Sequence, residues 1–264
     1  MIEADLRAHA RRALCCADPA TKIAVLRTVD AAATPVDPAR RLDGVDAPGR
    51  PARPLLVPPA RVPRRGVGSP AGRAALIHAI AHIEFNAINL ALDAVARFSG
   101  LPTAYYRDWW QVAVEEALHF SLLCEHLATL DCRYGDLPAH DGLWEAARKT
   151  AGDPLARMAL VPRVLEARGL DVTPGMRARL AAAGDEAAAA ILDVILRDEV
   201  GHVAVGNRWY RHLCALAGRD PVSTFNELCA QHGQHPPRPP FNVEARLAGG
   251  FTLEELAAFG VGAG

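Results

Sequence analysis

The chain has 264 residues, half of them hydrophobic and only 6 % aromatic, with a net charge of −1. That length can bury a sizeable core as one domain with appendages, and abundant alanine with few aromatics favours an all-α fold over sheet. The near-neutral charge excludes a global bias toward nucleic acid or an anionic membrane, leaving only local basic patches to consider.

No apolar run approaches the roughly 20 residues that span a bilayer. The start, Met1-Ile-Glu-Ala-Asp5, lacks the basic and apolar regions of a signal peptide. Six cysteines, at positions 15, 16, 124, 132, 214 and 229, form no Cys-x-x-Cys pair and are expected as reduced thiols in a cytoplasmic protein. For the vicinal pair Cys15-Cys16, plain exposed or half-buried thiols are favoured over a redox role.

Residues 2–17 are expected to form a short amphipathic helix with Leu6, Ala10, Ala13 and Leu14 on one side. Asp18-Pro19 opens a second short helix toward Val29. Residues 31–70 are rich in proline, arginine and glycine and show no helical period, so they are expected as an extended segment wrapping a helical bundle, with a mobile linker as the alternative. Ser69-Pro70 signals the first core helix, running to about Phe98 and closed by Ser99-Gly100 and Pro102. The second core helix is expected over 103–130, followed by a loop over 131–140 and a short helix over 141–150. Asp153-Pro154 opens the third core helix, which reaches Arg168, carries Pro162 as a kink and stops at Gly169. Thr173-Pro174 starts a brief helix to about Ala183. The fourth core helix spans 185–217 and ends at Gly218 and Pro221. In the tail, a proline cluster over 235–240 precedes a capping-box start at Thr252-Leu-Glu-Glu255. The expected organisation is an N-terminal helix and wrapping segment (1–69), a four-helix bundle (70–217) and an extension packed on it (218–264), with no separate second domain.

Two Glu-x-x-His segments, Glu116-Ala-Leu-His119 and Glu199-Val-Gly-His202, carry the chemistry. Residues three apart on a helix lie about 60° apart, so each pair points one way. A lone glutamate precedes each at nearly equal spacing: Glu84 before Glu116 and Glu166 before Glu199. Each sits on an apolar stripe. Val112, Leu123 and Leu127 accompany Glu116 and His119; Leu192, Ile195 and Val203 accompany Glu199 and His202. Ile77, Ile80, Ala81, Ile88 and Ala91 surround Glu84, and Leu155, Ala159 and Pro162 precede Glu166. Four carboxylates facing a core repel one another and need protonation, salt bridges or metal. The nearby arginines 97, 107, 163, 168 and 197 mostly fall on other faces. Two divalent cations offset four carboxylates, and neutral imidazoles complete the set, which is the ligand pattern of a di-iron or di-manganese bundle site. Mixed oxygen and nitrogen ligation suits iron, with manganese as the alternative and zinc acceptable in a purified sample. A single such pair on an alanine-rich helix is commonly a solvated chance; two, each with a matched glutamate, are not readily explained that way.

Other polar residues are weaker candidates. Glu115 and Asp198 directly precede a ligand glutamate and are positioned either to accept from a ligand histidine's other nitrogen or to remain surface charges. His78 and His82 are favoured as satisfied or exposed histidines, and Tyr105, Tyr106, Trp109 and Trp110 as core packing. Asn86, Asn89, Glu244 and Arg246 are polar residues that spacing alone does not place.

The segment from His78 to Asp93, with Glu115-Glu-Ala-Leu-His-Phe120, Arg197-Asp-Glu-Val-Gly-His202 and Pro240-Phe-Asn-Val-Glu-Ala-Arg246, resembles the ferritin-like family catalogued as "domain of unknown function 455" over most of the chain. The resemblance implies a ferritin-like four-helix bundle with Glu84, Glu116, His119, Glu166, Glu199 and His202 as ligands. It also implies a supporting carboxylate before the second motif's glutamate, where Asp198 stands. The expected function is an O2-dependent di-iron oxidoreductase or hydroxylase whose organic substrate the sequence does not identify. An electron donor and, at most, a second copy in a homodimer are its expected partners. An iron-handling ferroxidase or storage protein, and a non-catalytic helical interaction protein, are the alternatives. Neither membrane nor nucleic acid is an expected partner, although Arg61, Arg64 and Arg65 keep RNA in view.

Overall fold

The structure, a computed structural model, describes residues 5–62 and 66–260. Among these the chain is all-α, with no β-strand and one isolated parallel bridge between Leu56 and Ala139. Arg64 and Arg65, and the first residues of the expected 2–17 helix, lie outside the described residues.

Local capping chemistry sets most helix starts. Asp5 accepts from the Ala8 amide before α1 (Leu6–Cys15), and Asp18 from the Thr21 amide before α2 (Pro19–Thr28), where Pro19 gives up no needed donor. Ser69 accepts from the Gly72 amide at the start of α3 (Pro70–Arg97). The next helices are α4 (Thr103–Thr129) and α5 (Gly142–Lys149). Asp153 caps α6 (Pro154–Leu160), which runs into a π-helical turn, Val161–Glu166, and then α7 (Ala167–Ala182). After α8 (Glu186–Leu216) and α9 (Pro221–Gln231) come two short tail helices, α10 (Val243–Ala248) and α11 (Leu253–Ala258). The Thr252–Glu255 capping box is present.

The third core helix departs from expectation. It does not stop at Gly169, and no new helix starts at Thr173-Pro174; α7 runs through both. Gly169 is not among the glycines with positive φ, so nothing in its backbone ends the helix. Pro174 removes the donor that would serve the carbonyl four residues earlier, and the side-chain amide of Asn242 donates to that Leu170 carbonyl at 3.3 Å instead. A contact from far along the chain overrides the local breaker.

The chain divides into two compact units, Met1–Glu145 with Leu180–Ile191, and Ala146–Arg179 with Leu192–Gly264. In the first, α3 and α4 form an antiparallel hairpin, and α1 and α2 pack on it. α3 is long and apolar enough to cross a membrane by length and composition, and 78 % of its most apolar window is buried in the protein.

Buried cations tie the extended segment to this unit. Arg7 donates to the carbonyls of Val95 and Ala96, which end α3 and lack helical partners, and to the carbonyls of Asp37, Pro38 and Arg40. Lys22 donates to Leu14, Gly49 and Asn89, and burial pulls its ammonium down to about 7. Arg97 reaches the Val45 carbonyl, and the Trp144 indole reaches that of Asp46.

In the second unit, the π turn and α7 lie antiparallel to α8. A side chain added at Gly206 would meet Pro162 at 2.3 Å, and one at Gly169 would meet the Glu199 side chain at 3.6 Å. Both contacts fit a single register, because each helix advances by the same number of residues between them.

Candidate metal centre

In the first unit, Glu84 projects from α3 while Glu116 and His119 project from one turn of α4. All three are buried, and their ligand atoms lie within 4.8 Å of one another. Nδ1 of His119 stands 3.2 Å from Oε2 of Glu84 and 3.3 Å from Oε2 of Glu116, so two carboxylates compete for one ring nitrogen. Burial, then the neighbouring charge of Glu116, raises the Glu84 carboxyl well above its ordinary value. Burial alone would lower the His119 imidazole, but hydrogen bonds and charge from Glu116 and Glu84 push it up to about 11. At neutral pH the imidazolium therefore supplies the positive charge this pair of carboxylates demands. A divalent cation would compete with that proton for the same atoms.

The second unit holds the matching pair. Glu199 and His202 are buried on α8, with Nδ1 of His202 at 3.2 Å from Oε2 of Glu199. Glu166 is the last residue of the π turn, which is closed by the Ala167 amide donating to the Pro162 carbonyl. The register defined by Pro162–Gly206 and Gly169–Glu199 sets Glu166 level with His202 on the opposing helix. The structure thus gathers Glu84, Glu116 and His119 in one unit. In the other it joins Glu199 to His202, with Glu166 at their height.

The weaker candidates have the following neighbours. Asp198 accepts from the guanidinium of Arg197 at 2.8 and 3.1 Å, and Glu115 from Gln111 at 2.9 Å. His78 accepts from the Gly135 amide at 3.0 Å. His82 lies between the Tyr134 hydroxyl and the His140 carbonyl, and burial lowers it to about 4, so it is neutral at pH 7. Tyr105, Tyr106, Trp109 and Trp110 are buried core. Asn89 serves Lys22, Asn86 contacts His82, and Glu244 is exposed.

Comparison with known proteins places the chain. A family model described as "Protein of unknown function (DUF455)" matches residues 15–257. The chain belongs to the DUF455 family. A Haemophilus influenzae protein described as "Uncharacterized protein" is 52 % identical over 213 residues, covering 78 % of this chain and 74 % of that one. No solved structure matches.

Two buried arginines of this DUF455 chain have partners that its sequence did not identify. Arg163, in the π turn, is fully buried and pairs with Glu255 at 2.8 Å; Arg246, in α10, is buried against Asp171. Arg163 precedes Glu166 by three residues in the π turn, and its partner lies 92 residues away in sequence. The remaining nearby arginines match expectation: Arg97 pairs with Asp93, Arg197 with Asp198, and Arg107 and Arg168 are exposed.

Proposed function

We propose that this DUF455 protein is a ferritin-like di-metal carboxylate protein that uses two iron ions in the O2-dependent oxidation or hydroxylation of an organic substrate. The carrying observation is the buried triad in which His119 bonds Glu84 and Glu116 through one nitrogen. Buried carboxylates are costly unless a cation accompanies them, and this donor set of carboxylate oxygen and imidazole nitrogen fits iron or manganese. The repetition of the pair at Glu199 and His202, with Glu166 in a π turn, supports a second half of one dinuclear centre; π turns inside helices occur frequently at functional sites. In this reading α3, α4, the run from α6 through α7, and α8 are the four helices of a ferritin-like bundle. The two ions, when bound, supply the binding and reduction of O2. The chain's own residues hold them, adjust carboxylate coordination as charge changes, and keep bulk water away. An electron donor completes the reaction, and six free cysteines suit a reducing cytoplasm.

Elemental analysis of protein expressed with iron, paired with an optical spectrum after the reduced protein meets O2, tests this reading. The expected result is about two irons per chain and charge-transfer absorption that develops on exposure to O2. Absence of bound transition metal after reconstitution overturns it. Light scattering separates the enzyme from an iron store: the enzyme is expected as a monomer or dimer, and a large closed shell would favour storage.

A further inference from the structure

We propose that the C-terminal segment is a clamp that positions Glu166 by holding the π turn from both sides. The inference rests on the metal-site reading for its purpose, though not for its geometry. A π turn is rare and geometrically poor, so it persists only where its surroundings hold it. Here it is gripped before and after Glu166. Three residues earlier, Arg163 donates to Oε1 of Glu255 in α11 at 2.8 Å. Its guanidinium also lies 4.2 Å from the ring centre of Tyr210, 4.8 Å from that of Phe225 and 5.0 Å from that of Phe251. The other oxygen of Glu255 accepts from Arg211 at 2.7 Å and from the Thr252 amide at 2.8 Å, so the carboxylate cannot swing away. Five residues after Glu166, Asp171 is held by both nitrogens of Arg246, at 3.0 and 2.6 Å, and by the Asn242 amide at 3.0 Å.

Stability alone does not call for this arrangement. Replacing a buried ion pair with apolar side chains of similar volume is often neutral or stabilising. What two anchors on either side of a turn do is fix its rotation. If the turn relaxed by one residue to α geometry, Glu166 would swing by about 100° around the axis and leave the level of His202. Arg163, Glu255, Arg246 and Asp171 are therefore positioning residues.

Two variants of the full chain test the clamp. Glu255→Gln keeps shape and removes charge; Arg163→Met with Glu255→Leu removes both charges. Two readouts are taken: amide hydrogen exchange across 163–167 in metal-free protein, and titration with Co(II) followed by its visible absorption. In both variants exchange in the turn should rise by about tenfold or more. The second Co(II) equivalent should weaken by about 10–100-fold, with the first equivalent's spectrum nearly unchanged in both variants and the global unfolding midpoint nearly unchanged in the double variant, where no buried charge is left unpaired at position 163. Wild-type exchange together with wild-type binding of both Co(II) equivalents overturns the proposal. Faster exchange in a protein that binds no Co(II) even as wild type would retain the clamp and sink the metal reading. Should the double variant not fold, Asp171→Asn carries the same test from the other side of the turn.

Discussion

His119 shows how buried carboxyl groups can be met from within the chain: its Nδ1 faces both Glu84, at 3.2 Å, and Glu116, at 3.3 Å. The linkage sign follows. The folded imidazole titrates near 11 against 6.5 unfolded, and Glu84 is likewise raised, so the folded chain binds more protons than the unfolded one across that range. The stabilisation is fully present below the unfolded values and is lost as pH rises through the folded ones. Metal-free protein should therefore become easier to unfold between roughly pH 6.5 and 11. Added Co(II) or Fe(II) should flatten or invert that slope, because metal binds the deprotonated ligands. Urea midpoints across pH, with and without metal, check both halves of this expectation. Glu84→Gln keeps the volume and removes the carboxylate that burial penalises. It should stabilise metal-free protein by about 1 kcal/mol while abolishing metal-induced stabilisation; a variant that still gains stability from metal would remove Glu84 from the ligand set.

At the scale of helices, the pairing of the π turn and α7 with α8 is set by two glycines that work differently. Gly206 leaves room for Pro162, and an added methyl would stand 2.3 Å from the proline ring. Gly206→Ala should cost about 1–3 kcal/mol despite alanine's better helix propensity. At Gly169 the methyl would find ordinary contact with Glu199 at 3.6 Å, so Gly169→Ala should be neutral or stabilise by about 0.5–1 kcal/mol. Chemical denaturation of the two variants gives the comparison, and equal effects would contradict the register. The same region marks the limit of local reading. Gly169 and Pro174 are punctuation in sequence, yet α7 continues through them, because Asn242 serves the Leu170 carbonyl that Pro174 leaves without a donor. By contrast, α2, α3, α4 and α8 end within one or two residues of their expected limits, since capping residues and their neighbours act within a few positions.

Across the whole molecule, long segments without a helical period are held by buried cations. Arg7 is one side chain that reaches α1, the end of α3 and the extended segment together, so Arg7→Ala should loosen all three and open residues 37–45 to limited proteolysis while α3 and α4 stay protected. Unchanged cleavage would show that Lys22 and Arg97 hold the segment without it. The sequence by itself determined the helical class, the main helices and the pairing of each histidine with the glutamate one turn before it, because all of these follow from a 3.6-residue period and nearby caps. Tertiary structure decided that Glu84 reaches His119 across two helices and that Glu166 stands level with His202. It also decided that Arg163 and Arg246 are buried by tail residues far away in sequence. Those outcomes depend on contacts between remote positions, and no local periodicity encodes which distant partner a buried charge will find.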